Sequence, residues 1–342
     1  MEVLSERKKR ILHAVVASHI KTADPVGSRT VARTYRMGLS SATIRNEMAD
    51  LEEMGYLEQP HTSAGRIPSQ KGYRYYVDHL MTSSKLSDEE ELSISRSLSS
   101  EKMREIEQII ANAVKVLSAV TRQTSLIMGP QFQKSTFQQM RILPLDERRG
   151  LVVLITDSGF IKNKVIELNQ SLSPPELQQV VSYLNHKLFG LSIDQVTTSL
   201  INELKRDLFR RLEILEQAFI LLEESLREEQ QARVYLGGTT NILSQPEFKS
   251  VDKIHRMLSL FEQESLLFEI LEKGLSEEGI VVKIGTENEY EDIHECSLIT
   301  ATYKIKQRVL GTIGVLGPTR MDYRWIIAVL RCLVDQLNRT LS

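Results

Sequence analysis

The sequence predicts a multidomain α+β protein, and three observations support this fold class. The chain has 342 residues, which is long for one hydrophobic core. Its 41% apolar and 26% charged residues are ordinary for a globular protein in water. Helices with one short hairpin come first, followed by strands, a long helical stretch, more strands and a last helix. This order predicts a small N-terminal domain and one α+β domain that a mainly helical insertion divides.

The composition argues against several classes of protein. No window contains about 18 uninterrupted apolar residues, and MEVLSERKKR runs straight into helical periodicity, so neither a membrane span nor a signal peptide is expected. Cys296 and Cys332 are too few for a disulfide framework or a thiolate metal site, and they favour a reducing compartment. His186 and His255 lack a second ligand three or four residues away, so we expect no metal and no cofactor.

Positive charge is concentrated near the N-terminus. The whole chain carries a formal net charge of −2, but residues 1–80 contain 12 lysines and arginines against 9 acidic residues. The remaining residues contain 31 basic and 36 acidic side chains. An excess of this size does not prove nucleic-acid binding, although its sign and position permit it.

Residues 1–81 are predicted to form three helices, a β-hairpin and a fourth helix. Apolar residues at helical spacing mark the first helix: Ile11, Leu12, Val15, Val16 and Ile20. Candidate N-caps precede the helices: Ser5, Ser28, Ser40 or Ser41, and Ser69. Gly38 opens the turn before the third helix, and Gly55 is the expected residue after its C-terminal cap. A helix-turn-helix followed by strand, polar loop and strand is the plan of a winged helix.

The third helix has the pattern of a helix that reads DNA bases. Its predicted core face is Ile44, Met48 and Leu51, spaced four and three residues apart. The opposite face is small and polar: Ala42, Asn46 and Ala49, flanked by Thr43 and Arg45. Such a helix can enter the major groove, where asparagine bonds an adenine edge and arginine bonds guanine or phosphate. The alternative is a surface helix whose Asn46 and Arg45 are solvated.

Acidic residues limit the part of this helix that can face DNA. Asp50, Glu52 and Glu53 would repel phosphates, so contacts are expected at the N-terminal half. The predicted base-reading residues are therefore Thr43, Arg45 and Asn46. The predicted phosphate contacts come from Ser41, Arg66, Lys71 and Arg29.

The stretch PHTSAGRIPS, residues 60–69, contains almost no apolar residue and lies at the predicted hairpin. As a wing tip, it would place Gly65 at positive φ and extend Arg66 toward a DNA backbone or minor groove. Thr62 and Ser63 would bond phosphate oxygens. A nucleophilic Ser63 is the alternative, but the sequence has no GxSxG or SxxK pattern and His61 is only two residues away. We therefore expect no catalytic residue and no enzyme.

The remaining chain is predicted to contain a linker and the split α+β domain. Residues 82–103, rich in serine and charge, form the linker. Residues 104–191 and 279–342 form the two parts of the split domain, and residues 192–278 form the helical insertion. The GGTTN of residues 237–241 lacks the lysine of a phosphate-binding loop and any evident strand–helix frame. A structural turn or an assembly contact within the insertion is favoured there.

Four stretches of the chain resemble the HrcA family of bacterial heat-inducible transcription repressors. They are SSATIRNEMADLEEMGYLEQPHTSAGRIPSQKGYRYYVD, FQQMRILPL, YLGGTTNIL followed by QPEF, and GVLGPTRMDY. The resemblance implies a cytoplasmic, nucleoid-associated repressor of chaperone operons that binds double-stranded DNA at an inverted-repeat operator as a homodimer. It also implies a GAF-like α+β domain interrupted by a dimerisation insertion, and a GroE-type chaperonin that maintains activity.

Two other functions remain open at this point. One keeps the winged helix and makes the GAF-like domain a sensor of a small molecule, although no convergent polar set is evident among its apolar strands. The other is an enzyme with a DNA-binding arm, as in biotin protein ligases. Residues 104–342 lack the glycine–arginine-rich loop that such an enzyme needs.

Overall fold

A computed structural model describes residues 4–62, 64–82, 84–98, 106–130, 136–146, 149–157, 161–167, 174–191, 233–276, 279–305 and 308–341. The chain divides into two compact units. One unit comprises Met1–Gly129 and Val234–Ser342, and the other comprises Pro130–Arg233. Among the described residues, no helix has both the length and the apolar character needed to cross a bilayer.

The first unit begins with a winged helix-turn-helix. Its elements are α1 (Glu6–Thr22), α2 (Ser28–Tyr35), α3 (Ser41–Glu53), β1 (Leu57–Glu58), β2 (Ile67–Pro68) and α4 (Gln70–Tyr75), which a π-helical turn continues over Tyr76–Leu80. Strands β1 and β2 pair antiparallel, with Leu57 opposite Pro68. The side chains of Ser5, Ser40 and Ser69 accept hydrogen bonds from backbone N–H groups at the starts of α1, α3 and α4. The predicted order of elements is confirmed.

The core of this domain forms where α1 packs against α3. Its central side chains are almost fully buried: Ile11, Leu12, Val15, Ile44, Met48 and Leu51. Residues spaced three and four apart lie on one face of a helix, so the inward face of α3 was predictable from the sequence. Gly38 and Gly55 adopt φ of 69° and 77° at the two ends of α3, as turns in the left-handed region require.

A five-stranded antiparallel sheet forms the rest of the first unit. Its strands run in the order β7-β3-β10-β9-β8. They are β3 (Thr124–Met128), β7 (Val234–Gly237), β8 (Ile280–Ile284), β9 (Cys296–Ile305) and β10 (Arg308–Pro318). Six helices of the described chain accompany them: α5 (Asp88–Leu98), α6 (Ile106–Thr121), α8 (Thr239–Leu243), α9 (Val251–Glu262), α10 (Glu264–Glu272) and, at the C-terminal end, α11 (Tyr323–Leu341). Short 3₁₀ turns occupy Pro246–Phe248, Lys273–Ser276, Gly285–Glu287 and Glu291–Ile293.

Alternating side chains give this sheet a core on each face. One face packs against α6 and α11 and contributes Ile127, Ile299, Ile313 and Val315. The other face packs against α9 and α10 and contributes Leu126, Met128, Leu298 and Leu316. The sheet is therefore the middle layer of three.

Polar contacts attach the winged helix to this sheet domain. Arg74 of α4 pairs with Glu287 and donates to the carbonyl of Val282 at 2.5 Å. Gln70 Oε1 accepts from the backbone N–H and the hydroxyl of Thr286, both at 2.9 Å. Because these contacts join α4 to β8 and the turn after it, the end of the winged helix is fixed to the sheet.

The predicted linker is partly helical. Residues 88–98 form α5, with Ile94 and Leu98 each only 2% exposed, and α5 packs on α6 and α11. Ser87 and Glu90 exchange capping hydrogen bonds of 2.8 and 3.3 Å at the start of this helix. Ile94 and Leu98, four residues apart, are enough to pack one face of α5 against its neighbours, although the serine-rich composition suggested a linker.

The boundaries of the insertion also differ from those expected. VYLG forms β7 and pairs with β3, and residues 234–276 belong to the first unit rather than to a helical insertion over 192–278. The strands predicted in the first part of the split domain pair with one another as a hairpin, as expected, and they lie inside Pro130–Arg233. A strand run does not show in the sequence itself which larger unit it joins, so these boundaries could not be derived from local patterns. Residues 192–232 lie outside the described residues, and their helical character stays a prediction.

The second unit contains a separate three-stranded antiparallel sheet. Its elements are β4 (Phe137–Pro144), β5 (Arg149–Thr156), β6 (Ile161–Glu167) and α7 (Pro174–Leu188), with strand order β4-β5-β6. Helix α7 packs on β4. Asn185 accepts from the N–H of Met140 at 2.6 Å and donates to its carbonyl at 3.0 Å, which satisfies both edge groups of β4 at that residue.

Candidate nucleic-acid interface

The outer face of α3 is exposed along its whole length. Ser41, Ala42, Arg45, Asn46 and Ala49 are all exposed, directly opposite the buried face. Within the described chain, neither Arg45 nor Asn46 has a side-chain hydrogen bond or an ion pair. Both predicted base-reading side chains are therefore available to a ligand outside the protein.

Thr43 differs from its two predicted partners. Its hydroxyl lies 2.9 Å from the hydroxyl of Ser40, and its backbone N–H donates to the same oxygen at 3.1 Å. These contacts place Thr43 in the N-terminal cap of α3. Its side chain is half-buried, so it is less available than Arg45 and Asn46.

Residues of α2, α3 and the wing (the hairpin Leu57–Pro68) line one concave cleft of about 380 Å³. The predicted site residues on it are Arg29, Arg45, Thr62 and Arg66. Arg29 is exposed in the first turn of α2, and Ser41 is exposed in the first turn of α3. Helix N-termini carry partial positive charge and unpaired N–H groups, so both positions suit phosphate.

Gln59, which no sequence pattern indicated, organises the wing tip. Its side-chain amide donates to the carbonyls of Thr62 at 3.0 Å and Ala64 at 3.1 Å. Thr62 is exposed, whereas Ser63 lies outside the described residues. A glutamine at the end of a strand carries no periodic or motif signal, so only the fold reveals this role.

The prediction that Gly65 takes a positive φ is wrong. Gly65 is needed instead for a close approach, because a Cβ there would lie 2.5 Å from the carbonyl carbon and oxygen of Val26. Two backbone hydrogen bonds of 2.8 and 2.9 Å join Val26 to Arg66 beside it. The wing is thereby tied to the segment between α1 and α2.

Arg66 does not extend from the wing tip, which corrects its predicted orientation. Its Nε and Nη2 atoms lie 2.8 and 2.7 Å from the carboxylate of Glu52 on α3, and its side chain is 19% exposed. The backbone bridge to Val26 brings Arg66 within reach of this carboxylate, and a paired carboxylate competes with solvent for the guanidinium.

Lys71 also turns back onto the domain. Its ammonium donates to the carbonyl of Met54 at 2.8 Å and lies 4.4 Å from the ring centroid of Tyr56. A cation beside the last carbonyls of a helix stabilises the negative end of the helix dipole. Lys71 therefore has a structural role at the C-terminus of α3.

Ion pairs offset most of the acidic charge of α3. Lys8 lies 2.7 Å from Asp50 and 3.0 Å from Glu47, and the hydrogen bond to Asp50, followed by that to Glu47, raises the pKa of Lys8. Arg66 pairs with Glu52 in the same way. The repulsion expected from Asp50 and Glu52 is therefore reduced, and Glu53 is exposed.

The GGTTN stretch is a structural turn. A strand–turn–helix frame does exist there, contrary to the sequence analysis, since β7 ends at Gly237 and α8 begins at Thr239. Asn241 donates to the carbonyls of Ser118 and Gln123 at 3.3 and 3.1 Å, which fixes the turn to α6. The described residues contain no group of three or more His, Cys, Asp or Glu side chains arranged to hold a metal ion.

The fold and the free face of α3 define the class of protein: a winged helix-turn-helix DNA-binding protein with an α+β second domain. A family model for the "HrcA protein C terminal domain" matches residues 107–327. The chain is 47% identical over 339 residues to the "Heat-inducible transcription repressor HrcA" of Natranaerobius thermophilus, covering 99% of this chain and 97% of that protein. It is 44% identical, with the same coverage, to the protein of that name from Pelotomaculum thermopropionicum. The chain belongs to the HrcA family of transcription repressors, whose role is non-enzymatic.

A solved structure shares the whole fold. A crystal structure of a hypothetical protein at 2.2 Å resolution covers 99% of this chain and 100% of its own, with a TM-score of 0.68 and 23% identity. At this identity the similarity concerns the fold alone.

Proposed function

We propose that this protein represses heat-shock chaperone operons by binding an inverted-repeat operator in double-stranded DNA. The observation that carries the proposal is the exposed face of α3, where Arg45 and Asn46 have no partner in the described chain. The buried Ile44, Met48 and Leu51 hold that face outward. A helix held in this way can lie in the major groove without unfolding any part of the domain.

Each predicted residue then has a role that its position supports. Asn46 bonds an adenine edge bidentately, and Arg45 bonds the O6 and N7 atoms of a guanine. Ser41 and Arg29 contact phosphates at the N-termini of α3 and α2. Thr62, with Ser63 beside it, contacts the backbone from the wing. Thr43 supports the cap of α3 and contacts DNA through its methyl group.

Arg66 and Lys71 take a different role from the one that the sequence suggested. Since Glu52 and the carbonyl of Met54 hold their charged groups, we assign to both residues the positioning of the wing against α3. They add general positive charge near the DNA without a contact of their own.

An inverted repeat is the natural target of a two-fold symmetric homodimer. Two copies of α3 would enter successive major grooves about 34–36 Å apart on one side of the duplex. We assign the dimer contact to the second unit, Pro130–Arg233, and the GAF-like role to the five-stranded sheet domain. The site of action is the bacterial cytoplasm, at the nucleoid.

A GroE-type chaperonin is the proposed partner that maintains activity, and the family resemblance carries this part. The isolated repressor should then refold poorly after heating and recover operator binding when chaperonin and ATP are added. A repressor that refolds quantitatively and binds its operator fully without chaperonin would contradict this part of the proposal.

The experiment that tests the proposal compares Asn46→Ala with Glu53→Ala, a matched alanine substitution at an exposed position of α3 away from the reading face. Operator binding by Asn46→Ala should weaken by about 1–3 kcal/mol, with relaxed preference at one base pair per half-site. Glu53→Ala should keep the base preference of the wild type. Titrations against the operator and single-base variants of it measure both, and an unchanged preference in Asn46→Ala would show that α3 does not face DNA as proposed.

A further inference from the structure

A groove of about 380 Å³ lies between the last helix of the winged helix and the sheet domain. We call it the junction groove. Val77 and Met81 form one wall, and Ile280, Val282 and Ile327 form the other. Its volume lies in the range of about 300–1,000 Å³ that small-molecule sites occupy, and its apolar walls are typical of such sites. None of these residues belongs to α3 or to the wing, so the groove is separate from the DNA interface.

Three arginines, Arg74, Arg324 and Arg331, line the junction groove with one carboxylate, Asp78. The guanidinium of Arg74 already has partners, because it pairs with Glu287, lies 3.1 Å from Asp78 and donates to the carbonyl of Val282. Arg74 therefore shapes the groove rather than supplying a free positive charge.

The other two arginines are not satisfied in this way. The Nε atom of Arg324 is buried and has no hydrogen-bond acceptor among the described residues, and its contact with Asp322 is 4.0 Å long. Arg331, nearly two turns further along α11, is exposed and has no ion pair in the part of the chain that the structure describes. Arg324 and Arg331 both line the groove, so an anionic acceptor placed there can form charge-assisted hydrogen bonds with their guanidinium groups.

The charges around the groove select a monoanion. Asp78 and Glu287 pair with Arg74, and Asp322 lies near Arg324, so these carboxylates would repel a ligand with several negative charges, such as a nucleotide. One carboxylate can instead accept from Arg324 and Arg331 while an apolar body lies between Val77 and Ile327.

We propose that the junction groove binds a small monocarboxylate with an aliphatic or aromatic body. Its walls come from α4 and its continuation on one side and from β8 and α11 on the other. A bound carboxylate therefore contacts both the winged helix and the sheet domain and stabilises their attachment by mass action. The site lies at the junction of two domains rather than inside the sheet domain, and its existence does not depend on the proposed operator.

Isothermal titration calorimetry on the full-length protein tests this site with octanoate and 4-phenylbutyrate as probes and octanamide as the neutral counterpart of octanoate. Both carboxylates should bind saturably with one site per chain, and octanamide should bind at least about tenfold more weakly because it lacks the charge. Arg324→Gln should weaken octanoate about tenfold or more, and Arg331→Gln several-fold. Arg339→Gln, which removes an exposed charge from the same helix outside the groove, should change nothing.

Three results would overturn the proposal. They are the absence of saturable binding by both carboxylates, equal binding of octanamide and octanoate, and equal weakening by Arg339→Gln and Arg331→Gln. Arg324 is partly buried, so its variant is checked by circular dichroism and thermal unfolding. If Arg324→Gln does not fold, Arg331→Gln decides, because Arg331 is exposed and has no ion pair in the described residues.

Discussion

The N-terminal half of α3 and the wing are both polar and both line the same cleft, but their side chains are held differently. Arg45 and Asn46 on α3 are exposed and have no side-chain partner in the described chain. Arg66 and Lys71 in and after the wing are bound back onto α3, through Glu52 and the carbonyl of Met54. Helix α3 presents side chains that can bond base edges, whereas the cations in and after the wing hold the wing in its position.

This contrast has a physical cause. In a helix, the spacing of buried residues determines which side chains point outward, because all side chains share one backbone geometry. In a wing the backbone is irregular, so the direction of each side chain depends on its local conformation and on the partners within reach. For Arg66 that partner is a carboxylate on another element. A basic residue in a wing is therefore not a DNA contact by position alone.

The largest expected effect comes from breaking the attachment of the wing. Gly65→Ala would place a Cβ 2.5 Å from the backbone of Val26, so the bridge between Val26 and Arg66 must open. We expect a loss of at least about 2 kcal/mol in the free energy of unfolding, since a buried backbone approach cannot relax through a flexible side chain. Urea unfolding followed by circular dichroism measures this loss.

Gly27→Ala is the matched control for that prediction, because it lies next to Val26 and its Cβ would meet nothing within 4 Å. It should change the free energy of unfolding by less than about 1 kcal/mol. Equal effects of the two substitutions would show that the close approach of Gly65 to Val26 is unimportant.

A smaller effect is expected from releasing Arg66. In Glu52→Gln the guanidinium loses its carboxylate, so non-specific DNA affinity should rise and the salt slope should steepen by about one charge. Arg66→Ala should lower the free energy of unfolding by about 1 kcal/mol or less, because the ion pair is partly exposed, and should leave the salt slope nearly unchanged. Binding titrations on a scrambled duplex at several salt concentrations test both changes. If the salt slope of Arg66→Ala falls by a full charge, Arg66 contacts a phosphate directly, as the sequence suggested.

The smallest expected effect is a pH dependence of the free energy of unfolding, which arises where α1 contacts α4, the helix that follows the wing. Ser69 follows β2 and caps α4, and the hydroxyl of Tyr73 on that helix lies 2.6 Å from Nδ1 of His19. Burial, followed by the charge of Arg320, lowers the pKa of His19 against the opposing charges of Glu247 and Asp24. The unfolded chain, with an ordinary histidine pKa of about 6.5, therefore binds a proton more readily than the folded chain.

Stability should accordingly be highest above this ordinary pKa and should fall as the pH decreases through it. His19→Gln should reduce the difference between the urea midpoints at about pH 7.5 and pH 5.5. Burial also lowers the pKa of His13, so His13 contributes a residual slope of the same sign. An unaltered pH dependence in His19→Gln would mean that this imidazole does not titrate differently on folding.

Much of the fold could be predicted because it rests on local signals. The caps Ser40 and Ser69, the inward face of α3 and the strands of residues 137–156 all follow from spacing or from capping chemistry. The errors concern long-range partners. Nothing local shows that VYLG pairs with β3, that Ile94 and Leu98 dock on α6 and α11, or that Arg66 meets Glu52.

We propose that α3 reads the operator while the basic residues of the wing hold the wing in position. The most direct measurement is selection of preferred sequences from a half-site library by the wild type, Asn46→Ala and Arg66→Ala in parallel. We expect Asn46→Ala to lose preference at one base pair of the half-site, whereas Arg66→Ala should select the same sequence as the wild type. A changed preference in Arg66→Ala together with an unchanged one in Asn46→Ala would contradict it.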